Sequence, residues 1–176
     1  YELMPYIYAQ AKESSEKGLP MMRALFVEFP DDKGSWLIDD EYLFGENMLV
    51  APLFEEENAR EVYLPEGTWI DYQTHKVYEK GWHTIEAGEI PTIALVKNGT
   101  LIPHIKLAQS TRDMDWTKLE LQVFADSNTN TASGKVYLPD GEKIENISVK
   151  KEGKEFQLDG NPLNGKTSFK IETTGK

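Results

Sequence analysis

Leu119-Glu120-Leu121-Gln122-Val123-Phe124 alternates apolar and polar side chains. Successive side chains of a strand point to opposite faces, so Leu119, Leu121 and Val123 share one face and Glu120 and Gln122 the other. The pattern is that of a half-buried β-strand. Comparable β-rich stretches fall at residues 48–53, 61–64, 69–72, 82–85, 93–96, 135–138, 144–149, 155–158 and 168–171, with turn residues between them. No helical period persists beyond Gly45. A spacing of roughly 8–12 residues between short strands predicts a mainly β chain, an all-β sandwich. Glu61-Val62-Tyr63-Leu64-Pro65-Glu66-Gly67 recurs as Lys135-Val136-Tyr137-Leu138-Pro139-Asp140-Gly141. Each copy reads as an apolar strand ended by a Pro-acid-Gly turn, which predicts two hairpins, one in each of two small β-subdomains. The polar stretch 125–134 reads as a long mobile loop or a linker.

Upstream of the β region the period changes. Leu3, Met4, Ile7, Tyr8 and Ala11 form one apolar stripe at helical spacing. Gly18 is suited to close that helix in a left-handed conformation, and Pro20 prevents it from resuming. Residues 21–29, nearly all apolar with Arg23 and Glu28 inside, predict a strand buried on both faces, as in parallel sheets covered by helices. Asp31-Asp32-Lys33-Gly34 is a turn. Residues 39–45 predict one capped helical turn, with Asp as N-cap and Gly after the last helical residue.

Composition limits the function classes. The chain has 176 residues, 39% of them hydrophobic and 11% aromatic, which is a folding composition. Nineteen Lys and Arg against thirty Asp and Glu give a formal charge of −11. That balance argues against nucleic acid as a partner, which demands a basic surface. The absence of Cys excludes disulfides and thiolate metal sites. No apolar run approaches the ~18 residues that span a bilayer, so no membrane partner is expected. Tyr1-Glu2-Leu3-Met4-Pro5 has no basic n-region and no initiator Met. The expectation is a cytoplasmic chain cut from something longer.

No catalytic constellation emerges from the residues themselves. The acidic groups Asp31/Asp32, Asp39/Asp40/Glu41 and Glu55/Glu56/Glu57 are sequence neighbours, whereas a glycosidase pair faces across a cleft at ~5–9 Å. Turns, caps and solvated loops account for them. His75, His83 and His104 stand alone, with no paired metal-ligand spacing, and no metal or cofactor is expected. Ser14, Ser15, Ser110 and Ser133 lack a nucleophile motif. Asn98-Gly99-Thr100 and Asn146-Ile147-Ser148 match the glycosylation tripeptide, a pattern common by chance. Trp36, Trp69, Trp82 and Trp116, with eight tyrosines, suit either a sugar-stacking platform or a sandwich core, and the pattern favours the core.

Several separated blocks carry a resemblance. They are Leu3-Met4-Pro5-Tyr6-Ile7-Tyr8, then Gly18-Leu19-Pro20-Met21-Met22-Arg23-Ala24-Leu25-Phe26, then Glu28-Phe29-Pro30-Asp31-Asp32. Asp39, Tyr42, Gly45, Leu49-Val50-Ala51-Pro52-Leu53 and Val62-Tyr63-Leu64-Pro65-Glu66-Gly67-Thr68-Trp69 follow in order. Across about residues 1–103 the sequence resembles glycoside hydrolase family 31, which contains α-glucosidases and α-xylosidases. The resemblance implies that residues 1–45 end a catalytic (β/α)8 barrel with its last helix and strand. Residues 46–105 would then be the proximal C-terminal β-sandwich and 106–176 the distal β-domain. Asp113-Met114-Asp115-Trp116, before the strand at 119–124, fits the α-xylosidase branch of the family.

Family members are retaining enzymes with an Asp nucleophile and an Asp acid/base, ~5–5.5 Å apart. Both motifs lie upstream of the helix at the start of this chain, so no residue here is carried over as catalytic. Arg23, Glu28 and Asp31, near the end of the last barrel strand, would be the charged residues nearest such a site. For Arg23, a structural ion pair in the core is the stronger reading. The implied function is a C-terminal scaffold of an α-glycosidase acting on an oligosaccharide or small glycoside, inactive by itself. The alternative is a non-catalytic carbohydrate-binding or oligomerisation module, in keeping with a possible homo-oligomer.

Overall fold

The computed structural model describes residues 1–54, 56–160 and 162–174. Its contacts divide the chain into two units, residues 19–98 and residues 1–18 with 99–176. Each has its own sheet and its own apolar core. The helix at 4–17 and the segment 19–45, read from the sequence as one barrel end, therefore fall in different units.

In the 19–98 unit, the order across the sheet is β1 (Met22–Arg23), β2 (Tyr42–Phe44), β3 (Met48–Pro52), β6 (Thr92–Lys97), β4 (Ala59–Asp71) and β5 (Val77–Glu86). Every pairing is antiparallel. Leu43, Leu49, Val62, Leu64, Trp69, Ile85, Ile93 and Leu95 fill the core.

Three sequence expectations change here. Residues 21–29 are not one strand. After the two residues of β1 the chain makes a single helical turn over Leu25–Glu28. Ala24 is extended and Leu25 is fully buried, whereas Met22 and Phe26 are exposed. Residues 42–44 form a strand rather than a helical turn, because Tyr42 to Phe44 pair with Val50 to Met48. Pro65-Glu66-Gly67 does not end a strand. It lies inside β4, where the register with β5 shifts between Leu64 and Thr68. Pro has no N–H for the ladder, and a bulge is one of the few places a strand accepts it.

The other unit joins a helix to a second six-stranded sheet. The helix spans Met4–Lys17 and ends at Gly18, whose φ of 70° lets its N–H reach the Ser14 carbonyl at 2.9 Å. Its buried residues are Pro5, Tyr6, Ala9, Gln10 and Glu13. That set lies two positions along from the apolar stripe, hence about 200° round the helix. Leu3, Met4, Ile7 and Tyr8 are half-buried, and Ala11 is exposed.

The sheet order is β11 (Glu155–Leu158), β10 (Glu145–Glu152), β9 (Thr131–Val136), β7 (Thr100–Ile105), β8 (Lys118–Phe124) and β12 (Ser168–Thr174). β7 meets β9, and β8 meets β12, in parallel. In β8, Leu119, Leu121 and Val123 are buried while Glu120 and Gln122 are half-exposed, as the alternation requires. β7 is buried at all six positions and shows no alternation for a sequence reading to detect. The loop read at 125–134 is shorter, because residues from Thr131 onward pair as β9. Asp126 folds its remainder into a turn by accepting the Asn128 N–H at 3.0 Å and the Thr129 hydroxyl at 2.7 Å. Pro139-Asp140-Gly141 does turn, with the Gly141 N–H on the Leu138 carbonyl at 2.9 Å.

Candidate functional site

Three acidic residues of the 19–98 unit, Asp32, Asp40 and Glu41, meet two residues of β4, Arg60 and Tyr63. Asp32 follows the helical turn at 25–28 in a tight loop. Its Oδ1 accepts the Gly34 N–H at 3.0 Å, and the Ser35 hydroxyl donates to the Asp32 and Phe29 carbonyls at 2.7 and 2.9 Å. The Tyr63 hydroxyl donates to Asp32, 2.8 Å from each carboxylate oxygen. A Cβ on Gly34 would lie 2.2 Å from that hydroxyl oxygen, so only glycine lets the tyrosine seat there. Burial, reinforced by the Asp32 charge, pushes the Tyr63 phenol up to about 12.

On the same strand, Arg60 pairs with Asp40 and donates to the Pro52 carbonyl at 2.9 Å. Its guanidinium lies over the Phe54 ring, 5.5 Å from the centroid. Glu41 is fully buried at its side chain, 3.9 Å from Arg60. Its Oε1 accepts the Tyr63 N–H at 2.8 Å, and its Oε2 has no hydrogen-bond partner. Burial drives this carboxyl up to about 7. The Asp40 charge adds to the rise, and the Tyr63 N–H and Arg60 act against it. Such a carboxyl is the usual profile of a general acid. Here the side chain is fully buried and shut off from solvent.

The remaining candidates are dispersed. Arg23 is buried, donates to the Pro20 carbonyl at 2.9 Å and pairs with Glu28, which is the structural reading of that residue. Asp31 and Asp39 are exposed. Glu55 lies outside the described residues. His83 contacts the Glu79 carbonyl at 2.7 Å. His104 is buried on β7, which lowers its pKa. His75 occupies the turn after β4. Among the described residues, no group of three or more His, Asp or Glu is placed to hold a metal. Ser15 and Ser110 make local hydrogen bonds to the Lys12 carbonyl and to Asp113, while Ser133 sits in β9. Asn98 is in the turn before β7, and Asn146 is exposed on β10.

The four tryptophans divide. Trp69 is core, its indole N–H on the Pro65 carbonyl at 3.1 Å. Trp116 is half-buried and tilts against Tyr8, which stacks on Tyr137 at 5.1 Å. Trp36 and Trp82 are exposed, the first stacked on Phe26 and the second tilted on Tyr63. Sequence reading singled out neither Arg60 nor Tyr63. The available signal was a charged residue and a phenol interleaved with the core-facing Val62 and Leu64.

In the helix at 4–17 of the other unit, Glu13 is a second buried carboxyl with the opposite balance. Burial works to raise its carboxyl, but Lys135 at 2.8 Å and Lys17 outweigh burial and hold it below the usual range.

The chain matches the glycosyl hydrolase family 31 C-terminal domain over residues 18–102. It is 36% identical over 117 residues to alpha-glucosidase 2 of Bacillus thermoamyloliquefaciens, covering 65% of this chain and 15% of that protein. It is 38% identical over 110 residues to an alpha-xylosidase of Emericella nidulans, covering 57% of this chain and 14% of that one. Among solved structures, a GH31 dextranase of Flavobacterium johnsoniae complexed with glucose superposes with a TM-score of 0.83 at 29% identity. The match covers 98% of this chain and 24% of the dextranase. The chain thus spans less than a quarter of each of these proteins.

Proposed function

We propose that this chain is the C-terminal scaffold of a retaining α-glycosidase acting on α-glucosides or α-xylosides, and that the catalytic carboxylates belong to the rest of the enzyme. The match of residues 18–102 to the family's C-terminal domain carries the reading. Two physical observations support it. Leu19, Met22, Phe26, Trp36 and Leu37 are exposed large apolar residues within a short segment, Leu37 at 84%. Exposed apolar surface of that density marks an interaction site. The apolar stripe of the helix at 4–17 is likewise incompletely buried. Both are what a segment packed against further protein would present. Asp32, Asp40 and Glu28 serve a turn and ion pairs.

The test is turnover of nitrophenyl α-glucoside and α-xyloside by the isolated chain. None is expected, and measurable hydrolysis that survives repurification would overturn the scaffold reading. Restoring the upstream protein and comparing the two substrates then decides between glucoside and xyloside.

A further inference from the structure

One row of outward-facing side chains on β4 and β5 carries an exposed tryptophan. β4 turns Val62 and Leu64 inward, so Glu61 and Tyr63 lie on its other face. Across the ladder, Glu61 stands opposite Thr84 and Tyr63 opposite Trp82. Trp82 is 60% exposed on this outer face. Tryptophan carries a large apolar area, and leaving it in water on a regular strand forgoes that burial.

The indole is held in place from below. Its ring centroid is 5.3 Å from that of Tyr63, at 57°. The far end of Tyr63 is fixed in turn by its hydrogen bonds to both Asp32 oxygens, over the space that Gly34 leaves clear. The orientation of the platform is therefore set before any ligand arrives, which reduces the ordering cost of binding. Beside it, Lys80 and Glu66 form an exposed ion pair at 2.6 Å, and Thr84 adds a hydroxyl.

A flat aromatic face bordered by carboxylates, one ammonium and a hydroxyl matches a pyranose ring. The sugar's C–H face stacks on the indole, its hydroxyls donate to the carboxylates, and the ammonium donates to its oxygens. An anionic ligand fits poorly. Asp32, Glu61 and Glu66 lie near the position, Lys80 is already paired with Glu66, and the chain carries a net charge of −11.

We infer that Trp82, seated on Tyr63 and flanked by Glu66 and Lys80, is a non-catalytic surface platform that binds a neutral glucan chain. The choice of an α-glucan rests on the proposed function, whereas the platform rests on the geometry alone.

The experiment is affinity electrophoresis of the whole chain through gels containing dextran or amylose, with isomaltotriose titration followed by tryptophan fluorescence. Wild-type chain should be retarded in at least one glucan gel. Trp82→Ala should lose about tenfold or more in affinity, Trp82→Phe should retain most of it, and Trp36→Ala should match wild type. Circular dichroism establishes that each variant is folded. Should Trp82→Ala not fold, Trp82→Phe combined with Lys80→Ala and Glu66→Ala carries the test, and undiminished binding by it overturns the platform. The inference also fails if folded wild type migrates as it does without glucan, or if Trp36→Ala rather than Trp82→Ala abolishes retardation. None of these outcomes bears on turnover, so the platform and the scaffold reading fail separately.

Discussion

At the residue scale, Glu41 is the most informative side chain. A buried carboxyl held near 7 binds its proton more tightly in the folded chain than in the unfolded one, where the ordinary value is 4.5. Its contribution to stability is therefore complete below pH 4.5 and is lost as pH rises toward 7. Relative to a Glu41→Gln variant, wild type should lose on the order of 2 kcal/mol of unfolding free energy between pH 4.5 and pH 7.5. Glutamine keeps an acceptor for the Tyr63 N–H and carries no charge, so its own profile should lack this component. Urea denaturation of both proteins across that range measures the difference, and parallel profiles would place the Glu41 carboxyl at its ordinary value. Glu13 has the opposite sign: its depressed pKa adds stability at neutral pH that is lost on acidification. The Glu41 signal is therefore read from the difference between the two proteins, in which Glu13 cancels.

At the element scale, β8 and the N-terminal helix make a contrast. The alternation in β8 was legible because one face of the strand is core and the other is not. Leu121→Ala should cost about 2–5 kcal/mol, while Gln122→Ala should stay within about 0.5 kcal/mol, as measured by chemical denaturation. Equal effects would mean that the register is wrong. The helix was legible in extent and cap but not in orientation. Its apolar stripe predicted one face, and the sheet covers the nearly opposite one, where Glu13 is neutralised by Lys135. Propensity and periodicity set that a helix forms; which face is covered depends on a strand more than a hundred residues away in sequence. β7 and the Pro65 bulge were missed for a similar reason. A strand buried throughout has no period, and a Pro-acid-Gly run reads locally as a turn whether or not the ladder continues past it.

At the scale of the whole chain, the exposed apolar residues between Leu19 and Leu37 are the feature that bears on solution behaviour. Without further protein to cover them, the isolated chain should self-associate with rising concentration, despite the repulsion of its net charge of −11. Light scattering should show the apparent mass growing with concentration. A Leu37→Asp/Met22→Asp double variant, altered only at exposed positions, should shift that growth to higher concentration. A wild-type chain that stays monomeric throughout would show that these residues do not form an adhesive face. The aromatic platform at Trp82 belongs to the same scale, because only strand pairing brings Trp82, Tyr63 and Asp32 together.

The sequence by itself determined that the chain is mainly β, that a capped helix opens it, and that it resembles the C-terminal part of family 31. Those conclusions rest on local regularities: alternation along strands, Gly and Pro at element ends, and ordered blocks of residues. Only the tertiary structure decided which carboxylate is buried near Arg60, which tryptophans are core and which are exposed, and where a proline enters a bulge instead of a turn. Each depends on partners far apart in the chain. Burial and pairing, which set pKa values and exposure, are properties of that assembled neighbourhood rather than of any one stretch of residues.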